Sequence, residues 1–214
     1  IREAASWFLN GVFLNYNSSY LERALEQMLD EEDSPEVTRF LRAVDVRIDG
    51  FRVEKAAEER RQRVFVKHAV GGKDYELRLS EESAGTQKLM GLASFLLAAL
   101  ERGDTVVVDE LDAKLHPKLL RYVILLFKDP EINKSGAQLI FSSQDVSTMR
   151  NDVFRRDEIW FAARDEDAAS QLWSLADIRE TNGNLVSKNA AFDKQYLSGR
   201  YGADPYLARI EEWD

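Results

Sequence analysis

At 214 residues, 44% hydrophobic and 31% charged, the chain is long enough for one large domain, or a lobe plus an insertion, with a core of its own. It holds no cysteine and only two histidines, His68 and His116, which excludes disulfides and thiolate metal sites and argues against a multi-histidine zinc site. A net charge of −9 weighs against nucleic-acid binding over the whole surface, where Lys and Arg must neutralise phosphates, and leaves room for a local basic patch.

No apolar run reaches the roughly 18 residues that a bilayer demands. The longest, around Leu92 to Leu100, is interrupted by Ser94 and reads as a buried helix face. No signal peptide is visible, and a cytoplasmic location is the simplest expectation. The first residue is Ile1, which reads as a processed product or a piece of something longer.

Residues 1 to about 45 read as helices. "SPEVTRFLRAV" is the clearest: Ser34 can cap, Pro35 suits the first turn, and Val37, Phe40, Leu41 and Val44 form one apolar stripe. The period then changes to alternation, and "VRIDGFRVEK", "RVFVKHAV" and "YELRLS" predict three strands over 46–79. Gly71-Gly72 supplies a hairpin turn between the last two, and "EKAAEERRQR" reads as a solvated hairpin tip. Its Arg60, Arg61 and Arg63 are the local basic run, most simply a solvated face and otherwise a nucleic-acid contact. From about residue 80 a loop, "SEESAGTQ", leads into a helix from about Lys88 to Arg102. "DTVVVDE" and "AQLIFSSQD" predict buried strands, with the helix "HPKLLRYVILLF" between them. His116 reads as the cap of that helix and His68, in mid-strand, as structural. "DEIWFAA" and "SQLWSL" predict further strands, with Trp160 and Phe161 in the core. The tail over 179–214 is polar and aromatic. Its "GRYGADPY" puts Arg200 and Tyr201 either at a partner surface or in a packed aromatic loop. The fold class expected is α/β: a parallel core over 80–178, an antiparallel segment over 46–79, and a helical insertion over 1–45.

Chemistry concentrates at "VVVDELDAKLHP". Ligands of open α/β sheets bind beyond the carboxyl ends of strands, and Asp109 and Glu110 stand at such an end. Adjacent strand residues point to opposite sides, which suits a division of labour. Asp109 would reach Mg²⁺, directly or through water, and Glu110 would polarise an attacking water. A surface turn after a strand gives the same pattern. About twenty residues upstream, Ser83 and Gly85 precede a helix. Ser83 offers a hydroxyl, Gly85 allows close backbone approach, and the helix N-terminus favours an anion; Ser83 also satisfies an ordinary cap.

Taken together, "LSEESAGTQKL", "VVVDELDAKLHPKLL", "AQLIFSSQD", "RRDEIWF" and "YLSGRYGADPYL" resemble the C-terminal part of an ABC-type ATPase head of the RecF/SMC/OLD-like group. More narrowly they resemble AAA-family ATPases of the RloA- or AbiLi-like kind, found in abortive-infection and phage-defence loci. The likeness covers roughly residues 35 to 210. It implies the C-terminal half of a P-loop NTPase that binds ATP with Mg²⁺ and forms a homodimer across the nucleotide. One subunit supplies the phosphate loop and the acidic strand. The other supplies Ser83 and Gly85, with Asp112 in the D-loop at the seam. A separate nuclease effector and a role in DNA surveillance are further implications.

Two departures follow. No G-x-x-x-x-G-K-S/T occurs, so the phosphate loop (Walker A) is expected upstream of this chain or on another chain. A sheet without that strand is expected to expose apolar surface and to self-associate. The family's switch histidine is replaced by Gln144, in Ser142-Ser143-Gln144-Asp145. Gln144 can donate a hydrogen bond to a γ-phosphate but cannot take a proton. A non-hydrolysing scaffold of the same fold is therefore the competing reading, and a transporter ATPase subunit the remoter one.

Overall fold

The computed structural model describes residues 12–15, 35–44, 48–55, 62–165, 167, 169–181 and 183–203. The chain divides into two compact units, Ile1–Gln144 and Asp145–Asp214. In chain order the first contains β1 (Val12–Asn15), α1 (Pro35–Ala43), β2 (Gly50–Lys55), β3 (Gln62–Val70), β4 (Lys73–Arg78), α2 (Ala84–Arg102), β5 (Thr105–Val108), α3 (Pro117–Lys128) and β6 (Gln138–Phe141).

Strand β5 lies between β1 and β6 and runs parallel to both. Val106 and Val108 are buried, as a continuous apolar strand requires when both faces are covered. Two expectations change here. The stretch before residue 45 is not helical throughout, because Val12–Asn15 is a strand paired with Thr105–Val108. Four apolar-leaning residues carry too short a period to tell strand from helix, and the pairing decides. Strand β6, expected to be buried, is instead the outer strand of this sheet among the described residues, and Ile140 is 56% exposed. An apolar run shows that cover is favoured, not which element provides it.

Strands β2, β3 and β4 form the antiparallel sheet, joined between β3 and β4 by Gly71 and Gly72 at φ 60° and 75°. Only glycine adopts that turn geometry without steric cost. Phe51, Val53, Val64 and Val66 bury one face, while Arg52 on the other lies over the Phe65 ring at 4.4 Å and pairs with Glu76 at 2.9 Å. Helix α1 buries Val37, Phe40 and Leu41 and packs against α2, and Val44 just beyond it is also buried. Each such side chain adds roughly 1.5–3 kcal/mol.

Helix α2 starts four residues earlier than its apolar spacing predicts. Ser83 accepts the Thr86 N–H at 3.1 Å, which makes "AGTQ" the first helical turn rather than loop. Gly103 ends the helix at φ 78°. His116 caps α3, its Nδ1 accepting the Lys118 N–H at 3.1 Å, with Pro117 in the first position. His68 shares a 2.6 Å hydrogen bond with Glu82, pinning β3 to the loop before α2.

The second unit holds β7 (Trp160–Arg164), β8 (Ser170–Ser174) and the short α4 (Phe192–Leu197). The antiparallel β7–β8 ribbon puts Phe161 opposite Trp173. Its core is Ile159, Phe161, Leu175, Val186, Phe192 and Tyr201. Phe161 stacks on Tyr196, with ring centroids 5.7 Å apart, and Tyr201 lies 5.3 Å away. Of the two aromatics expected in the core, Phe161 is there and Trp160 is not; the latter is 58% exposed. Neighbours on a strand face opposite ways, so one of an adjacent pair must point outward from a one-sided ribbon. Tyr201 belongs to a packed aromatic cluster, one of the two alternatives for the tail. Among the described residues no helix is long and apolar enough to cross a membrane.

Candidate active site

Parallel pairing brings the carboxyl ends of β5 and β6 side by side, and the chain segments that leave them remain bonded. Ser142 N–H donates to Val108 O at 3.1 Å, and Leu111 N–H to Ser142 O at 3.0 Å. The turn after β5 therefore lies alongside the turn after β6. Leu111, with no exposed surface, and the buried Leu115 anchor it from below.

Asp109 and Glu110 stand at the exposed rim. The Ser142 hydroxyl sits between them: it donates to Asp109 Oδ1 and accepts the Glu110 N–H at 2.8 Å. One carboxylate oxygen is thus held toward β6 and the other is left available. Glu110 has φ 49°, in the left-handed region that costs a non-glycine residue roughly 1–2 kcal/mol. That conformation keeps the chain from continuing as a strand beyond Asp109. Strained backbone of this kind persists only where its surroundings hold it.

Asp112 lies one turn further on. Its two carboxylate oxygens each stand 3.3 Å from the Gln144 N–H. Asp109, Glu110, Asp112 and Gln144, singled out separately in the sequence, therefore meet at one place. The pair made by Asp112 and Gln144 is a main-chain contact, which leaves the exposed Gln144 amide side chain free of that task.

Ser83 and Gly85 begin α2 beside the same turn. Ser83 Oγ is engaged as a cap, with Thr86 Oγ1 2.8 Å away. Gly85 has a packing reason of its own: a Cβ there would come within 2.8 Å of the Lys114 carbonyl oxygen. Lys114, at φ 65°, is the second non-glycine residue in the left-handed region among the described residues. Three residues further along α2, Lys88 donates to the carbonyl oxygens of Glu110 at 2.6 Å and Ala113 at 2.9 Å. Burial lowers the Lys88 pKa, while the nearby Asp112 and Glu110 carboxylates oppose that shift.

Sequence reading missed Lys88 and Ser142. Its place carried a signal for Ser142, the first residue after β6. Nothing local marked Lys88, whose partners lie more than twenty positions away.

Among the described residues no group of three or more His, Cys, Asp or Glu could enclose a metal ion. Asp109 is a single exposed carboxylate with one oxygen held by Ser142. That donor set fits Mg²⁺, which keeps most of its waters and takes one or two carboxylates together with substrate phosphates.

Comparison with curated protein sequences returns no match. A solved structure from work on ATP-driven dimerization and DNA-stimulated activation of SMC ATPases aligns with TM-score 0.44 and 16% identity, covering 74% of this chain and 89% of that one. An SmcHead bound to the C-winged helix domain of ScpA aligns with TM-score 0.44 and 16% identity, over 73% of this chain and 44% of that one. An Smc head with an extended coiled coil, bound to the C-terminal domain of ScpA derived from Pyrococcus furiosus, gives 0.37 and 16%, over 73% and 34%. The family model described as "AAA domain, putative AbiEii toxin, Type IV TA system" matches residues 3–150. That span holds Ser83, Gly85, Asp109, Glu110, Asp112 and Gln144 and makes up more than half of the chain. The chain therefore belongs to this AAA-domain family.

Proposed function

We propose that this domain binds and hydrolyses ATP as one head of a nucleotide-driven dimer, within a bacterial system of the abortive-infection or DNA-surveillance type. The observation that carries the reading is the Ser142 hydroxyl bridging Asp109 and the Glu110 N–H, which gives two adjacent carboxylates different settings. The family's description, a putative AbiEii toxin of a type IV toxin–antitoxin system, supports the defence context.

Asp109 is the residue that would hold Mg²⁺, which when bound offsets the charge of the β- and γ-phosphates. Glu110 accepts a proton from the water that attacks the γ-phosphorus, and the bond to the β–γ bridging oxygen breaks to release ADP. Gln144 donates a hydrogen bond toward the γ-phosphate and stays neutral. Ser83 and the start of α2 face the triphosphate held by a second copy, with Asp112 at the seam between the two. Only a triphosphate reaches both surfaces, so ATP favours the dimer and hydrolysis releases it. The phosphate loop and any nuclease effector come from outside these 214 residues.

The test is Mg²⁺-dependent ATP turnover and dimerisation of the full-length protein, wild type against Glu110→Gln. The variant is expected to lose roughly 10²- to 10⁴-fold in turnover while keeping an ATP-dependent dimer. Absence of turnover in both would move the reading to the second one, a scaffold of the same fold that binds without hydrolysis. Gln144 in place of a titratable histidine is what favours that alternative.

A further inference from the structure

Lys88 has exchanged part of its water for two main-chain carbonyls. A lysine that serves solubility extends its ammonium into solvent; this one turns inward, half-buried, and spans the turn from Glu110 to Ala113. The two carbonyls are the ends of one loop of chain. Ala113 N–H donates to Glu110 O at 3.0 Å, so Glu110 O receives both that bond and the ammonium. Within the turn Glu110 holds φ 49°. A backbone conformation that is costly for glutamate is thus fixed by a cation bound to its own carbonyl. The same cation sits on α2, five residues after Ser83, and so ties the start of that helix to the acidic turn.

We propose that Lys88 is a positioning residue for Glu110: its ammonium clamps the Glu110–Ala113 turn and so presents the Glu110 carboxylate at the end of β5. The proposal rests on the reading of Glu110 as the group that activates water. Lys88 touches no reacting atom. Its loss frees the turn to relax toward ordinary backbone angles, which swings the carboxylate away. Small displacements of a catalytic group lower the rate steeply while leaving substrate affinity nearly intact.

The experiment compares Lys88→Met and Lys88→Arg with wild type in the full-length protein, reading kcat and KM for ATP and hydrogen exchange of the Ala113 and Leu115 amides. Lys88→Met is expected to lower kcat roughly 10- to 100-fold with KM changed less than about twofold, and to speed exchange at both amides. Lys88→Arg, a cation with donors for the same carbonyls, is expected to recover much of both. Should Lys88→Met fail a circular-dichroism check of folding, Lys88→Gln takes its place with the same expectations. Unchanged kcat, a rise in KM alone, unchanged exchange, or an arginine variant no better than methionine would each overturn the proposal. Wild type without ATP turnover would instead sink the ATPase reading. Exchange then decides the clamp: faster in Lys88→Met and restored in Lys88→Arg upholds it, and no change overturns it.

Discussion

Ser142 does at the residue scale what no single motif letter reveals. Its hydroxyl donates to Asp109 and accepts from the Glu110 amide, so one atom holds the Asp109 carboxylate and the Glu110 main chain. A hydrogen bond to a charged group contributes roughly 1.5–3 kcal/mol. Ser142→Ala removes both contacts and is expected to lower ATP turnover by roughly 10-fold or more. It is also expected to raise the Mg²⁺ concentration needed for half-maximal rate. A magnesium titration of turnover checks this; wild-type kinetics in the variant would show that Ser142 merely fills space. The acids were legible in the sequence because charge after an apolar strand is conspicuous. The serine was not, because its role depends on β6 lying next to β5.

At the scale of elements, the start of α2 is governed by contact as much as by helix propensity. An alanine in a helix is ordinarily about 1 kcal/mol better than glycine. At position 85 the added Cβ meets the Lys114 carbonyl oxygen at 2.8 Å, and the obstacle is main chain that cannot rotate away. Overpacking of this kind costs roughly 1–3 kcal/mol, which outweighs the propensity gain. Gly85→Ala is therefore expected to destabilise the first unit by up to about 2 kcal/mol. Urea unfolding reports it directly; a variant more stable than wild type would show that α2 and the turn part easily. Periodicity located α2 correctly but began it at Lys88, since "AGTQ" has no apolar stripe. The Ser83 cap supplies what the stripe does not.

At the scale of the whole molecule, stability at alkaline pH depends on Tyr201. Its phenol donates to Gln195 Oε1 at 2.7 Å within the aromatic core of the second unit, and burial pushes its pKa up to about 12. The unfolded phenol titrates near 10. The folded value is the higher one, so the proton favours the native state. That contribution is fully present below about pH 10 and is lost as pH rises through about 12. Tyr201→Phe is expected to cost about 1 kcal/mol at pH 8 through the lost hydrogen bond. It is also expected to flatten the decline in stability between pH 10 and 12, measured by denaturant unfolding at each pH. An equally steep decline in the variant would assign the alkaline loss to other groups.

The sequence by itself determined the α/β character, the antiparallel hairpin turning at Gly71-Gly72 and the cap at His116, while for Ser83 it left a cap and a phosphate contact side by side. These rest on local physics: side-chain period, glycine's access to positive φ, and side-chain acceptors for free helix amides. Only the tertiary structure decided that Val12–Asn15 is a strand, that β6 and Trp160 are exposed, and that Lys88 and Ser142 hold the acidic turn. Those outcomes depend on which segments become neighbours in space. Lys88 reaches Glu110 across twenty-two positions and Ser142 reaches Asp109 across thirty-three, distances at which no local pattern in the chain carries the signal.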